Sequence, residues 1–277
     1  MARARGGELP HTGATITWDH RGGATIERDG HPQSYVHPDD PLLLVFEYVE
    51  QFALVLEALR PDPAPLAVTH VGGAGMTLAR WVHRVHPGSP QIVLEPDTAL
   101  TALVRRELPL PRGHRVRVRP VTGQVGICAL REGSADVVVL DAYQDGRVPA
   151  DLVGTWWIGE LDRVLAPDGL VLVNASDSPP LPWVARLCAT LRTRFAHVGQ
   201  LVLREVVKGR GFGNVVVVAS HRPLDDVSLR RVATRATFPT MWRSSAETAR
   251  WCAGAQPFAE MGEPSPQPPP SGVLRSR

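Results

Sequence analysis

The chain has 277 residues, 43% apolar and 21% charged, which excludes wholesale disorder and provides for a packed core of ordinary domain size. Its formal charge is only +2, from 30 basic and 28 acidic residues, so it lacks the electrostatic footprint that nucleic-acid binding by phosphate neutralisation requires. Three cysteines about 60 residues apart provide no disulfide framework and no CxxC metal motif, no apolar run reaches the roughly 18 residues of a membrane span, and the start MARARGGELP lacks the apolar stretch of a signal peptide, so a cytoplasmic protein is expected.

Residues 1–38 alternate short β-prone runs with glycine, as in ATITWDH, ATIERDG and QSYV, the pattern of an antiparallel meander. From Asp40 the apolar positions Leu44, Val45, Tyr48, Phe52, Val55 and Leu59 recur at helical spacing, which predicts a long helix capped by Asp and ending at Arg60. Strands and helices then alternate, with strands at 66–71, 91–95, 115–120, 135–141 and 170–175, and near-continuous β-branched runs such as DVVVLD mark strands covered on both faces. The runs HVGQLVLRE and NVVVVAS are joined by VVKGRGFG, too short for a crossover helix, so they pair antiparallel at one edge and KGRGFG is a turn. The expected fold is α/β: a doubly wound sheet of about seven strands with a reversed closing strand, the Rossmann-like arrangement of class I S-adenosylmethionine methyltransferases, preceded by a small meander. DDVSLRRVATRA and AETARWCAGA read as further helices, and 261–277, with five prolines within 264–270, reads as a disordered tail. The implied division is a meander at 1–38, a Rossmann-like domain at 39–260 and the tail.

Two places carry chemistry. In HVGGAGMTL, Gly72, Gly73 and Gly75 follow the first strand of the sheet and lead into a helix, letting backbone pass close to a ligand. Leu78 stands where the third glycine of G-x-G-x-x-G would be, which favours a nucleoside without a pyrophosphate, such as an adenosyl sulfonium. Glu95 ends the second strand of the sheet, where a carboxylate can accept from both ribose hydroxyls. At the end of the fourth strand, DVVVLDAYQDGRVPADL brings Asp141 to the ligand-binding edge of the sheet, where it can take a proton from an amine or hold a cation. Asp145 is a weaker candidate of the same kind. The bland readings are a tight glycine turn, a solvated strand end and loop carboxylates.

The set DGHPQSYV, DDPLLLVFEYV, HVGGAG, IVLEPD, ADVVVLDAYQDGRVPADL and LAPDGLVLVN, in this order over about 13–220, resembles the spermidine synthase (polyamine aminopropyltransferase) family, closest to its divergent bacterial spermidine-synthase-like branch. The resemblance implies that decarboxylated S-adenosylmethionine binds in the crevice, that an amine such as putrescine attacks its aminopropyl carbon, and that the protein is a homodimer. It also implies roles: Gln33, Glu95, Thr122 and the glycines for the nucleoside, Asp141 as the catalytic base that helps deprotonate the amine, Tyr48 and Asp145 on the amine side. The departures are equally specific. Ala74 replaces the Asp that grips the aminopropyl ammonium, Val121 and Thr122 stand where a Gly-Asp pair would hold adenine, and Gln144 takes the place of the last Asp of D-x-x-D, leaving Asp145 beside it. Each lost ionic hydrogen bond costs roughly 1.5 to 3 kcal/mol if nothing replaces it.

Other signals are weaker. His83 and His86 lie three apart on one helix with no third ligand at metal spacing, so they read as surface histidines and no metal is expected. Trp156 and Trp157 follow the Asp141 loop and read as core packing rather than an adenine platform. Two alternatives to aminopropyl transfer stay open: a methyltransferase using intact S-adenosylmethionine, and a noncatalytic relative kept for dimerisation or partner binding. Neither nucleic acid nor membrane is an expected partner.

Overall fold

The computed structural model describes residues 13–28 and 30–269; Asp29, the first twelve residues and 270–277 lie outside. The meander is a three-stranded antiparallel sheet of β1 (Ala14–Trp18), β2 (Ala24–Arg28) and β3 (His31–Val36). After α1 (Glu47–Leu59) the chain alternates through β4 (Val68–Val71), α2 (Thr77–Val85), β5 (Gln91–Leu94), α3 (Thr98–Glu107), β6 (Val116–Arg119), α4 (Gly123–Cys128) and β7 (Ala135–Leu140). It continues through α5 (Thr155–Val164), β8 (Leu165–Asp177), α6 (Pro182–Leu191), β9 (His197–Leu203), α7 (Arg204–Val207), β10 (Gly213–Ser220), α8 (Asp226–Arg235), β11 (Thr240–Arg243) and α9 (Ser245–Trp251). The large sheet runs β11-β9-β10-β8-β7-β4-β5-β6, with β4 to β8 parallel and β10 antiparallel to both neighbours.

The run Val137-Val138-Val139-Leu140 explains why this sheet must be covered twice. Val138 and Leu140 join the core beneath α5 and α6, whereas Val137 and Val139 join the core beneath α1, α2 and α8. Side chains of a strand alternate faces, so an unbroken apolar strand needs a layer on each. A third cluster seats Ala24, Ile26 and Val36 of the meander against Met76 and Ala79, which docks the small sheet on the start of α2. The Arg28 guanidinium adds an ion pair to Asp97 at 3.3 Å.

Four expectations change. The reversed strand β10 is not at the edge: it lies between β8 and β9, and β9 is covered in turn by β11, whose short TMWR run gives no strand signal of its own. The helix expected from Asp40 starts at Glu47, because Asp40 caps a turn instead, its Oδ1 accepting from Leu42 N and its carbonyl from Leu43 N, both at 3.1 Å. His86 is no surface histidine; it is 1% exposed, with Nδ1 3.1 Å from the Ala64 carbonyl.

The fourth concerns the proline-rich end. Residues 261–269, expected to be disordered, are held on the body: Trp183 Nε1 donates to the Glu263 carbonyl at 2.9 Å, Ser265 is fully buried, and Gly262 N donates to Ala150 O at 3.2 Å. Proline fixes φ and lowers the entropy of the free chain, so such a segment needs few anchors to be ordered. Buried Phe258, under the Arg186 guanidinium, supplies one just upstream. Among the described residues no helix is long and apolar enough to cross a membrane.

Candidate active site

The glycine turn follows β4 itself, and Glu95 and Asp141 stand at the carboxyl ends of its two parallel neighbours, β5 and β7, where the strand order reverses direction. Gly72 takes φ +93°, and a Cβ there would lie 2.1 Å from the Asp141 carbonyl oxygen, so only glycine lets the two strand ends approach. Gly73 packs on Val93 and donates its N–H to Glu95 Oε2 at 2.9 Å; Asp97 N donates to Oε1, also at 2.9 Å. Each Glu95 oxygen therefore keeps a lone pair for a ribose hydroxyl while the carboxylate is held still. Gly75 lies under Ser34, Val36 and Ile26 of the meander, and its carbonyl accepts from Nε of the buried Arg80 at 3.1 Å. Burial pulls the Arg80 guanidinium down to about 10.

Gln33 lies on β3, but Ser34 is the residue of that strand that bonds the turn, through Thr77 Oγ1 at 2.8 Å; the Gln33 amide donates to its own strand at the His31 carbonyl. Thr122 is the N-cap of α4, accepting from Val125 N at 3.3 Å. The hydroxyl keeps one lone pair and its proton for a ligand. Ala74 sits at φ +33° with no charge to offer.

Across the crevice, Asp141 accepts from Asn174 Nδ2 at 2.9 Å and from the Tyr48 phenol, and burial, outweighing both bonds, pushes its carboxyl up to about 6. Tyr48 thus meets Asp141 although they are 93 positions apart, and burial beside that carboxylate drives the phenol well above its usual range. Tyr143 donates its hydroxyl to the Asn174 carbonyl at 3.3 Å, and burial raises it likewise. Asn174 Oδ1 is buried with no hydrogen-bond partner, and Ser176 Oγ, also buried, faces the Tyr143 phenol. Ser176 pairs across the sheet with Asn214, whose Nδ2 donates to Glu47 Oε1 at 2.9 Å. The result is a row of acceptors, Asp141, Asn174, Ser176 and Glu47, beside two phenols.

Asp145 is not in this row. It occupies the exposed tip of a two-residue hairpin, with φ +51° followed by Gly146 at +74°, closed by Gln144 and Arg147. The reading of the chain missed Asn174, Ser176, Asn214 and Glu47. The first three are ordinary strand polar residues until the β8–β10 pairing aligns them, and Glu47 looks like any exposed helix acid. Trp157 is fully buried and packs near Gly123, as a core residue. Among the described residues no group of three His, Cys, Asp or Glu side chains is placed to hold a metal.

No family model matches the chain. It is 23% identical over 207 residues, 74% of either chain, to a polyamine aminopropyltransferase of Neisseria meningitidis. A solved structure described as a probable spermidine synthase from Corynebacterium glutamicum superposes with a TM-score of 0.84 at 25% identity, covering 90% of this chain and 94% of that one. Human methyltransferase-like protein 13, solved with SAH, shares the fold with a TM-score of 0.57 at 20% identity over 83% of this chain and 98% of that one. The chain is a divergent spermidine-synthase-like protein.

Proposed function

We propose that the protein transfers an aminopropyl group from decarboxylated S-adenosylmethionine to a small amine such as putrescine. The observation that carries this reading is the row of acceptors beside Asp141, in which Asn174 Oδ1 is left unfilled. A protonated amine brings three N–H donors, and buried Asn174 Oδ1 has none. Asp141, pushed up to about 6, is a base poised to take the ammonium proton near neutral pH. Its partners Asn174 and Tyr48 fix the carboxylate and leave part of it open to the crevice. Glu47 is the carboxylate for a second positive charge on the amine, and Tyr48 and Tyr143 line the path between the two acids.

The nucleoside fits the opposite side at the ribose end: the side-chain-free surface of Gly72 and Gly73 gives close approach, and Glu95 and Thr122 keep free acceptor positions. Gln33 reaches this end only by turning from its own strand. When bound, the sulfonium supplies an electrophilic carbon and a neutral thioether leaving group. Ala74 offers nothing to the aminopropyl ammonium, and this one observation favours a second reading, methyl transfer from intact S-adenosylmethionine. Asp145, at its exposed hairpin tip, would touch only the outer end of a long amine.

We also propose a homodimer in a reducing compartment such as the cytoplasm. Exposed Trp18, Leu42, Leu43 and Val45 support an apolar contact surface, and three unpaired cysteines suit reducing surroundings. The test of function is calorimetric titration with decarboxylated and intact S-adenosylmethionine in parallel, followed by product analysis with putrescine. Preference for the decarboxylated form with formation of an aminopropylated amine is expected. Preference for the intact form moves the assignment to methyl transfer, and absence of heat with either sinks both.

A further inference from the structure

The loop that follows Asp141 is fastened by a segment from the far end of the chain. Val148 N donates to Ser265 Oγ at 2.9 Å, and Ser265 N donates back to Val148 O at 3.1 Å. The Arg147 guanidinium donates to the carbonyls of Ser265 and Pro264. Gln267 Nε2 donates to Asp145 O at 3.4 Å, and Pro268 lies 3.0 Å from where a Gly146 Cβ would stand. The segment itself is anchored upstream, by Phe258 in the core, by Arg186 on the Glu263 carboxylate at 2.7 Å and by Thr155 N on the Ala259 carbonyl at 3.0 Å. A Cβ on Gly154 would lie 2.2 Å from the Glu260 carbonyl, so the closeness of this approach depends on glycine.

We propose that Phe258–Pro268 is a strap that holds the Gln144–Val148 hairpin in place beside Asp141, with Arg147 and Ser265 as positioning residues. The wall of the acceptor side is then set by the chain's own C-terminal segment before any ligand arrives. A loop held in advance spends no binding free energy on its own ordering, which favours productive placement of the amine. The effect on turnover rests on the function proposed above; the fastening itself does not.

Hydrogen–deuterium exchange on the ligand-free protein tests it, comparing the full chain, a chain ending at Glu263, a chain ending at Pro269 and Ser265→Ala. The chain ending at Glu263 keeps Phe258 and the Glu263 anchor. Exchange in 144–148 is expected to be at least about tenfold faster in that chain and measurably faster in Ser265→Ala, with β7 and β8 unchanged and the chain ending at Pro269 like the full one. Trypsin should then cut after Arg147 in the shortened chain. Unchanged exchange in 144–148, or equal acceleration in β7 and β8, overturns the proposal. In a transfer assay the shortened chain should lose kcat/KM for the amine with an unaltered Kd for the adenosyl ligand. If the full chain transfers nothing, the proposed function falls while the exchange result still decides the strap.

Discussion

The two sides of the crevice treat their polar groups in opposite ways. On the glycine-turn side the polar groups are already bonded within the fold: both Glu95 oxygens accept backbone N–H bonds, Thr122 caps a helix, and Arg80 holds the Gly75 carbonyl. On the Asp141 side an acceptor is left over: Asn174 Oδ1 is buried without a partner, and the carboxyl of Asp141 is pushed up to about 6. A site whose groups are satisfied without ligand is stable and permissive, whereas one that leaves buried acceptors carries a stability cost that only a donor-rich ligand relieves. Change on the first side should therefore cost stability or nucleoside affinity, and change on the second should cost turnover while sparing or improving stability.

Asp141→Asn is the sharpest test. Loss of a general base predicts a fall in turnover of about 10²- to 10⁴-fold. The folded carboxyl titrates near 6 against 3.8 when free, so the native state binds more protons between these values, and stability falls as pH rises through that window, by up to roughly 3 kcal/mol. The variant should therefore melt higher than the parent at pH 8 and lose most of the difference by pH 4, as read by scanning calorimetry. A variant that is both inactive and less stable at pH 8 breaks the comparison. In the parent, kcat/KM for the amine should climb as the pH passes about 6.

Gly72→Ala probes the other side, and the expected loss is about 3 kcal/mol or more in denaturant unfolding, because the residue combines φ +93° with a 2.1 Å clash on backbone. Glu95→Gln keeps one acceptor and loses the charge, so nucleoside affinity should drop ten- to a hundredfold in calorimetric titration, in line with about 1.5 to 3 kcal/mol for charge-assisted bonds, with little change in amine KM. The smallest effect is that of Glu47→Gln. A diamine should lose about tenfold in kcat/KM and a monoamine of equal length almost nothing, a charge effect of about 1.4 kcal/mol. Equal losses for both amines would remove Glu47 from the site.

Much of the fold was legible because its signals are local. The alternation of β-branched runs with helical periodicity gave the parallel half of the sheet, the glycines at 72, 73 and 75 gave the turn, and Glu95 and Asp141 stand at strand ends that the pattern itself locates. The antiparallel half was less legible. β11 is four residues long and finds its place only by pairing with β9, and the first turn of the helix predicted from Asp40 lost to a turn that the same aspartate caps. Nothing in the order of residues sets Glu47 beside Asn214 or Ser265 on Val148, because those contacts close loops of more than a hundred residues.

The sequence by itself determined the parallel part of the sheet, the glycine turn at its carboxyl edge, and the two acids on the parallel strands, since each follows from periodicity and from chemistry within a few neighbouring positions. Only the tertiary structure decided which polar groups remain unsatisfied and what encloses them. Hydrogen-bond satisfaction is a property of three-dimensional neighbours: Asn174 Oδ1 is buried where no donor among the described residues reaches it, Ser176 lies opposite Asn214 of β10, and a proline-rich end becomes structure because Phe258 and Ser265 find pockets in the body.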